Sequence, residues 1–284
     1  MYGSNGIIGG YDKYNNEDAP VIGHIGANAG SVVFAKGKHY VTYNGVMCII
    51  KDNADKMYGY YALLAANIKR IAFGSAQPFV SYNTLNRIPI YLPTVENQKK
   101  ISSILSAYDK LIEVNNKRIK VLEQMAENLY KEWFVRFRFP GHETAEFENG
   151  IPKGWEYCTV ESLSDILQRG ISPDYDDEGK MTVISQKCIR QSIMDIKEAR
   201  KQSKPFKAEL NLRDGDTVIC STGTGTLGRV GQVFGDYPKT TFDSHVTLVR
   251  AKNADKCHFL YWTLKEMQTW FMNMGIGSTN QQEL

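Results

Sequence analysis

The longest regular pattern of apolar and polar positions in the chain runs from residue 97 to residue 137. The apolar positions recur in alternating steps of four and three, which is the heptad seam of a helix packed lengthwise against another helix. At 1.5 Å per residue, the predicted helix is roughly 60 Å long. The seam positions, one of them polar, are Ile101, Leu105, Tyr108, Ile112, Asn115, Ile119, Leu122, Ala126, Leu129 and Trp133.

The ends and the seam of this helix carry further signals. Residues 94–97 (Thr-Val-Glu-Asn) have the spacing of a capping box, with asparagine in place of the usual Glu or Gln. A core helix of one globular domain would be the simpler interpretation. The length of the seam and its polar member Asn115 instead favour a coiled coil, since one polar seam residue commonly fixes the register. No second helix of this kind occurs, so we expect the partner helix to come from further sequence or from another chain.

Outside the helix, the chain contains an internal repeat of about 200 residues. The letters Asn-Ala-Asp-Lys at residues 53–56 recur at residues 253–256. Before them, a strand-like run leads in both copies into a glycine loop, at residues 26–30 and 223–228. After them, an aromatic stretch predicts a helix in each copy. Each copy then reaches a Gly-Ser pair, Gly74-Ser75 and Gly277-Ser278.

The repeat and the helix together predict the domain organisation. We expect an α/β (α+β) fold with two globular domains joined by the heptad helix. One repeat unit is longer than either flanking segment, so each domain is expected to be incomplete. The predicted segments are residues 1–93 (back part of the first domain), 94–138 (helix), 139–154 (linker) and 155–284 (front part of the second domain).

Composition and charge narrow the class of protein. Hydrophobic residues make up 42% and charged residues 23% of the 284 residues, which is ordinary for a globular protein. The five cysteines are scattered and form no Cys-x-x-Cys pair, so neither a disulfide framework nor a zinc site is predicted. No signal peptide and no apolar run of about 18 residues is visible, and we expect a cytoplasmic protein.

One candidate for catalytic chemistry is the Gly-x-Gly-x-x-Gly sequence of residues 223–228. A dinucleotide site would need a helix directly after this loop. The valines and glycines that follow, among them Val230 and Gly231, favour a strand, so a tight loop is the preferred interpretation and a dinucleotide enzyme is a remote alternative. No other catalytic or metal-binding motif is present, and we expect no catalysis and no bound cofactor in this chain.

Candidate DNA-binding side chains concentrate in residues 183–207, a segment that contains seven Lys or Arg residues and only two acidic residues. Amide and guanidinium groups can contact base edges and phosphates, and small polar side chains on the glycine loops can approach a phosphate. The alternatives are a solvated charged surface and ordinary hairpin turns. The candidates are Asn28, Ser31, Lys36, Lys38, Gln186, Lys187, Arg190, Arg200, Lys201, Thr224, Thr226 and Arg229.

Several phrases resemble one known family. Residues 85–93 end in Pro-Ile-Tyr-Leu-Pro, and residues 96–101 (Glu-Asn-Gln-Lys-Lys-Ile) open the helix, with Asn97 inserted into the usual Glu-Gln pair. Residues 2–9 and the Ile-Pro-Lys-Gly-Trp of residues 151–155 match further phrases. Together they resemble the specificity subunit of type I restriction-modification systems, here as an apparent fragment. In that family the Pro-Ile-x-Leu-Pro phrase ends a strand.

This resemblance implies two target recognition domains, each contacting one half of a split site in double-stranded DNA. It also implies two long helices on which methylation subunits dock, with restriction subunits outside them. S-adenosylmethionine, ATP and magnesium would then belong to the partner subunits. A different hypothesis is a scaffold that associates with a second copy or fragment through the heptad helix, so that two chains complete each other's domains.

Overall fold

The computed structural model describes residues 1–223 and 225–275 of the chain. The chain divides into two compact units: unit 1 is Met1–Val121, and unit 2 begins at Leu122. The boundary falls inside the long helix, so each unit contains a part of that helix. Of the helices in the described ranges, none combines the length and apolar character that a bilayer crossing requires.

Unit 1 is built on a three-stranded antiparallel sheet in which the central strand pairs on both sides. Its strands are β1 (Tyr2–Gly3), β2 (Gly6–Ile7), β3 (Asn16–Gly23), β4 (Val32–His39) and β5 (Gly45–Met47). Its helices are α1 (Lys56–Ala65), a 3-10 turn (Ile68–Ile71), α2 (Tyr82–Leu85) and the start of α3 (Val95–Tyr130). The sheet order is β4-β3-β5, and Ile22, Val46, Ile68 and Val80 form its buried core beneath the helices.

The long helix α3 begins at Val95 and ends at Tyr130, where a π-helical turn (Lys131–Val135) follows. The predicted helix over residues 97–137 therefore exists but is shorter at its C-terminal end. The last seam residue, Trp133, lies in the π turn, whose wider winding takes it out of the α-helical register. The strand expected to end in the phrase of residues 89–93 is absent, because this segment pairs with no strand; the Tyr58 hydroxyl donates to the Tyr91 carbonyl instead.

Unit 2 carries a six-stranded sheet and a separate three-stranded sheet. Its first strands are β6 (Phe147–Glu148), β7 (Ile151–Pro152), β8 (Ser164–Arg169), β9 (Met181–Ile184), β10 (Ile189–Arg190), β11 (Ile193–Met194) and β12 (Arg200–Gln202). The later strands are β13 (Thr217–Cys220), β14 (Val230–Gln232), β15 (Thr240–Phe242) and β16 (Val246–Ala251). The helices are α4 (Val160–Leu163), α5 (Cys257–Glu266) and α6 (Gln268–Met274), with 3-10 turns at His142–Thr144, Gln186–Cys188, Ile196–Glu198, Ala208–Leu210 and Ala254–Lys256.

The two sheets of unit 2 enclose its main core. The larger sheet has the strand order β10-β11-β14-β13-β16-β8, and the smaller one has the order β12-β9-β15. Val218, Leu248 and Val246 from the larger sheet pack against Ile184 and Phe242 from the smaller one. The other face of the larger sheet is covered by α5, through Leu260 and Leu264 among others. Side chains along β13 alternate between the two faces of the sheet, and because both faces are covered, every residue of this strand is buried.

The repeat seen in the sequence corresponds to one topology present in both units. In unit 1, β3 pairs antiparallel with β4 and β5, and α1 follows. In unit 2, β13 pairs antiparallel with β14 and β16, and α5 follows. The glycine loops join β3 to β4 and β13 to β14. Because a strand and not a helix follows the loop at Gly228, the strand–loop–helix unit of a dinucleotide site is missing there.

The loop glycines Gly30 and Gly228 occupy equivalent places in this topology. Both have positive φ angles, of 81° and 76°. Both donate their backbone N–H at 2.8 Å to a carbonyl of the preceding strand, Gly23 and Cys220 respectively. A Cβ atom at Gly30 would lie 2.7 Å from the backbone of Lys69, and one at Gly228 would lie 2.9 Å from Cβ of Phe271. These glycines therefore pack the loop against a helix, and their N–H groups are already bonded.

Candidate nucleic-acid interface

Four chain segments of unit 2 meet at one end of its sheets. Strands β8 and β13 run antiparallel to β16, while β9 and β15 run parallel to each other. The loops that follow these strands are joined by backbone hydrogen bonds: Ser221 N–H to His245 O at 2.8 Å, Asp243 N–H to Ile184 O at 2.9 Å, and Gly170 N–H to Val246 O at 3.0 Å. We call residues 169–171, 185–190, 221–223, 225–229 and 243–245 the loop edge of unit 2.

The loop edge brings together five of the side chains predicted from sequence. The Thr226 hydroxyl donates to Gln186 Oε1 at 3.2 Å. The Arg229 guanidinium donates to the Gly225 carbonyl at 2.6 Å. Within the 185–190 segment, Arg190 Nε donates to the Lys187 carbonyl at 3.1 Å. Gln186, Lys187, Arg190, Thr226 and Arg229 therefore lie on adjoining segments, although they are up to 43 positions apart in the chain.

Arg200 and Lys201 lie on β12, the strand beside β9. Arg200 is opposite Val183 near the end of β9 that leads into the loop edge, and its guanidinium stacks 3.5 Å from the ring centre of Tyr175. Burial and the nearby charge of Asp243 raise the pKa of Tyr175, while Arg200 opposes this shift. Lys201, opposite Thr182, is one residue farther from the edge and points to the other face of the sheet.

The loop edge of unit 2 is electropositive. Its segments contain four basic residues, Arg169, Lys187, Arg190 and Arg229, and one acidic residue, Asp243. Asp243 is buried, and the desolvation raises the pKa of its carboxyl, against the effect of the His245 N–H group that donates to Oδ1 at 2.9 Å. Within these segments the cationic side chains are accompanied by no exposed carboxylate, while the exposed Asp174, Asp177 and Glu178 follow the 169–171 segment in the chain.

Sequence reasoning missed three residues of the loop edge. Arg169 donates through Nε and Nη2 to the carbonyl of Ser244, at 3.0 and 2.8 Å. The Thr222 hydroxyl lies 2.6 Å from Nδ1 of His245, whose ring is exposed while Thr222 is buried. None of these residues belongs to a local motif, and only the topology brings them together.

The equivalent end of the sheet in unit 1 has a different character. His24 N–H donates to Asn44 O at 3.0 Å, as Ser221 does to His245 in unit 2. Three rings cluster here, with His24 placed 6.1 Å from Tyr43 and 5.3 Å from Tyr82 between ring centres. The predicted Asn28 lies at this end and donates to Asn5 Oδ1 at 2.8 Å. The predicted Ser31 donates to the Ser4 carbonyl at 3.2 Å.

Lys36 and Lys38 lie at the opposite end of the unit 1 sheet. Strand β4 starts beside the glycine loop at Val32 and ends at His39, so these lysines lie away from that loop. Lys36 Nζ is 4.0 Å from the Glu113 carboxylate, and Lys38 Nζ lies 4.8 Å from the ring centre of Tyr14. Among the other predictions, Thr224, Gly277 and Ser278 lie outside the described residues.

The heptad face of α3 is exposed along most of its length in the described chain. The exposed fractions of Leu105, Tyr108 and Leu122 are 38%, 63% and 56%. Three further apolar residues, Ile104, Leu111 and Met125, lie one position before seam residues and are exposed as well. The apolar stripe is therefore wider than a two-stranded seam requires, which suits a helix contacted by more than one neighbour.

Comparison with known proteins points to one family. A family model described as the type I restriction modification DNA specificity domain matches residues 1–124 and 152–283. The MjaIX specificity subunit of Methanocaldococcus jannaschii is 34% identical over 203 residues, covering 66% of this chain and 45% of that protein. The MjaVIII specificity subunit of the same organism is 30% identical over 156 residues, covering 53% and 36%.

A solved structure with a similar fold is the S subunit of a type I restriction-modification system from M. genitalium. The TM-score is 0.56 at 18% sequence identity, and the match covers 92% of this chain and 67% of that one. The chain spans less than half the length of the two curated relatives described above. The same family model matches twice, once over the first copy of the repeat together with residues 95–124 of the long helix, and once over the second copy. The chain belongs to the family of type I restriction-modification DNA specificity domains.

Proposed function

We propose that the chain is the sequence-specific DNA-binding component of a cytoplasmic type I restriction-modification complex. Each unit contacts one half of a bipartite target in double-stranded DNA through the end of its sheet that carries the glycine loop, which in unit 2 is the loop edge. The observation that carries this proposal is the loop edge of unit 2, where four strand ends converge and four basic residues accompany one buried carboxylate. Such an arrangement suits phosphate contacts that position the protein and polar side chains that contact bases.

The long helix provides the second part of the proposal. Methylation subunits dock on the exposed apolar face of α3, and restriction subunits join the complex through them. Methyl transfer from S-adenosylmethionine and ATP-dependent, magnesium-dependent cleavage take place on those partners, and this chain supplies the DNA target. In the described residues, no group of three His, Cys, Asp or Glu side chains is placed to hold a metal ion.

The test of DNA binding uses the full chain, alone and with a purified methylation subunit. A library of duplexes with randomised base pairs is bound and enriched, and the retained sequences are determined. We expect enrichment of a motif in two parts separated by unselected positions. Enrichment of no motif by the complex would contradict the proposed function.

Salt dependence locates the DNA on the protein. The slope of log K against log salt is negative, and removal of one phosphate contact reduces its magnitude by about 0.9. We expect this loss for Lys187→Ala and for Arg229→Ala at the loop edge of unit 2. Lys36→Ala, at the opposite end of the unit 1 sheet, is the matched control and should leave the slope unchanged. Equal slopes for all three variants and the wild type would place the DNA elsewhere.

A second candidate function is self-association. The apolar face of α3 is exposed within the described chain, and Asn115 interrupts it as a register-setting residue would. Two copies would then pair through this helix and complete each other's domains. Light scattering distinguishes the candidates, because a chain that stays monomeric at all concentrations cannot be such a scaffold.

A further inference from the structure

We infer that His245 contacts a base edge of the DNA and that Thr222 positions its ring for this contact. The inference rests on the proposed function, and it adds a specificity-determining residue to unit 2. His245 and Thr222 are 23 residues apart and belong to two different loops of the loop edge. Neither residue was among the candidates that the sequence provided.

The geometry of His245 is that of a ring held in place while exposed to solvent. Its Nδ1 lies 2.6 Å from the hydroxyl of Thr222, which is itself only 5% exposed. Because Nδ1 contacts Thr222, Nε2 is the ring nitrogen with which His245 can contact a ligand. When the Thr222 hydroxyl donates to Nδ1, the proton of the neutral ring is on Nε2, which makes this atom a hydrogen-bond donor.

The backbone around His245 is fixed on both sides. Its N–H donates to the buried Asp243 carboxylate at 2.9 Å, and its carbonyl accepts from Ser221 N–H at 2.8 Å. The carbonyl of the preceding Ser244 accepts two bonds from Arg169. A side chain on so constrained a loop loses little further conformational freedom when it binds, which favours its use in recognition.

The surroundings determine which ligand suits this ring. Arg169, Lys187 and Arg229 belong to the same electropositive edge and would bind phosphates on either side of the groove. A donor at Nε2 matches the acceptors that purines expose in the major groove, N7 of adenine and N7 or O6 of guanine. We therefore assign to His245 the recognition of a purine at one position of the half-site.

Unit 1 lacks this pair of residues. Ser221 and His24 each follow the central strand of their sheet, and their N–H groups donate to the carbonyls of His245 and Asn44. His245 therefore corresponds to Asn44, and Thr222 corresponds to Ile25. An isoleucine side chain offers no hydroxyl for such a bond, and the rings of His24, Tyr43 and Tyr82 occupy this end of unit 1 instead. The inference is therefore restricted to the half-site of unit 2.

His258 provides a matched control within unit 2. It is also exposed, and its Nδ1 also lies near a buried side chain, 3.1 Å from Nε2 of Gln232. Gln232 pairs with Thr217 at the start of β13, whereas Thr222 lies beyond the end of β13. The two histidines thus make similar contacts at opposite ends of the same strand.

The experiment enriches randomised duplexes with the chain in its complex with the methylation subunit and compares four variants. His245→Ala should lose the purine preference at one base pair, with a decrease of about 5- to 150-fold in affinity for the preferred duplex. Its binding to an unrelated duplex should not change. His258→Ala should retain the whole motif. Thr222→Val should weaken the same base pair, and Thr222→Ser, which keeps a hydroxyl, should restore it.

The outcomes separate the inference from the proposed function. A wild-type complex that enriches no motif overturns the proposed function and the inference with it. A motif that His245→Ala leaves unchanged overturns the inference alone. The same holds if His245→Ala lowers binding to all duplexes equally together with the melting temperature, because the histidine would then have a structural role. Loss of selectivity at one base pair, rescued in Thr222→Ser relative to Thr222→Val, supports it.

Discussion

The side chain of Gln98 accepts a hydrogen bond from the backbone N–H of Asp55 at 2.8 Å and donates one to the Pro93 carbonyl at 2.7 Å. Gln98 is fully buried in the first turns of α3. Asp55 in turn caps α1, since its carboxylate accepts from Tyr58 N–H at 2.8 Å. One amide side chain therefore links the start of the long helix, the segment before it and the start of α1.

Replacement of Gln98 by alanine should destabilise unit 1. The change removes the bonds to the Asp55 N–H and the Pro93 carbonyl, which belong to half-buried residues, and each lost bond should cost about 0.5–1.5 kcal/mol. Urea unfolding followed by circular dichroism measures this loss. Lys99→Ala, at the exposed neighbouring position, is the control and should change the free energy of unfolding by about 0.5 kcal/mol or less. Equal effects of the two variants would assign no special role to Gln98.

The ion pair between Arg250 and Asp216 should be essential to the stability of unit 2. The guanidinium bonds both carboxylate oxygens at 2.7 Å and also donates to the carbonyls of Glu209 and Asn211 at 2.6 and 2.7 Å. Both side chains are buried. Asp216→Asn leaves the buried arginine charge uncompensated, which should cost about 3–5 kcal/mol.

Denaturant unfolding of Asp216→Asn tests this expectation. The control is the exposed pair between Lys207 and Glu209, with side chains 81% and 59% exposed, where Lys207→Ala should cost about 0–1 kcal/mol. A loss below about 1 kcal/mol in Asp216→Asn would mean that water or a rearranged loop compensates Arg250. The comparison thus separates a buried ion pair from a surface one in the same unit.

Asp243 should make the stability of unit 2 depend on pH. Burial raises the pKa of this carboxyl in the folded state, so the folded protein binds a proton more readily than the unfolded chain. Its contribution to stability is present below the unfolded pKa and is lost as the pH rises through the folded pKa. Asp243→Asn keeps an oxygen to accept from His245 N–H and removes the titrating group.

We therefore expect Asp243→Asn to unfold at a higher temperature than the wild type at neutral pH. The difference should shrink or reverse as the pH falls below the raised pKa. Thermal unfolding across a pH series measures both effects. Asp165→Asn, at an exposed position of β8, serves as the control. A lower melting temperature of Asp243→Asn at neutral pH would show that the ionised carboxylate stabilises the loop.

Features with local periodicity were predictable from the sequence. The seam of α3 follows from a step of three and four residues. The resemblance carried by the phrases at residues 2–9, 85–101 and 151–155 is confirmed by the family match. The equivalence of the glycine loops at residues 26–30 and 223–228 followed from the repeat. The end of the helix was not predictable in the same way, because a π turn at Lys131–Val135 breaks the register without any glycine or proline.

The candidate interface was less predictable because it is assembled from loops that are distant in the chain. Gln186, Lys187 and Arg190 stood out through local charge, whereas His245 and Thr222 carry no local signal and meet only through the pairing of β13 with β16. Lys36 and Asn28 are close in sequence, yet β4 carries one of them away from the glycine loop. Proximity along a strand is a poor guide to proximity at a sheet edge, since each residue advances about 3.3 Å.

Association through the long helix should depend on Leu122. This seam residue is 56% exposed in the described chain, so Leu122→Asp removes few intramolecular contacts and should change the stability of the chain by less than about 1 kcal/mol. In a complex the same aspartate would be buried without a partner, which should abolish association with a methylation subunit or with a second copy. The control is Gln124→Asp, which adds the same charge on the polar face of the helix, two residues away. Sedimentation analysis of each variant, alone and with the methylation subunit, gives the stoichiometry. If Leu122→Asp assembles as the wild type does, or if Gln124→Asp fails equally, the seam is not the contact surface.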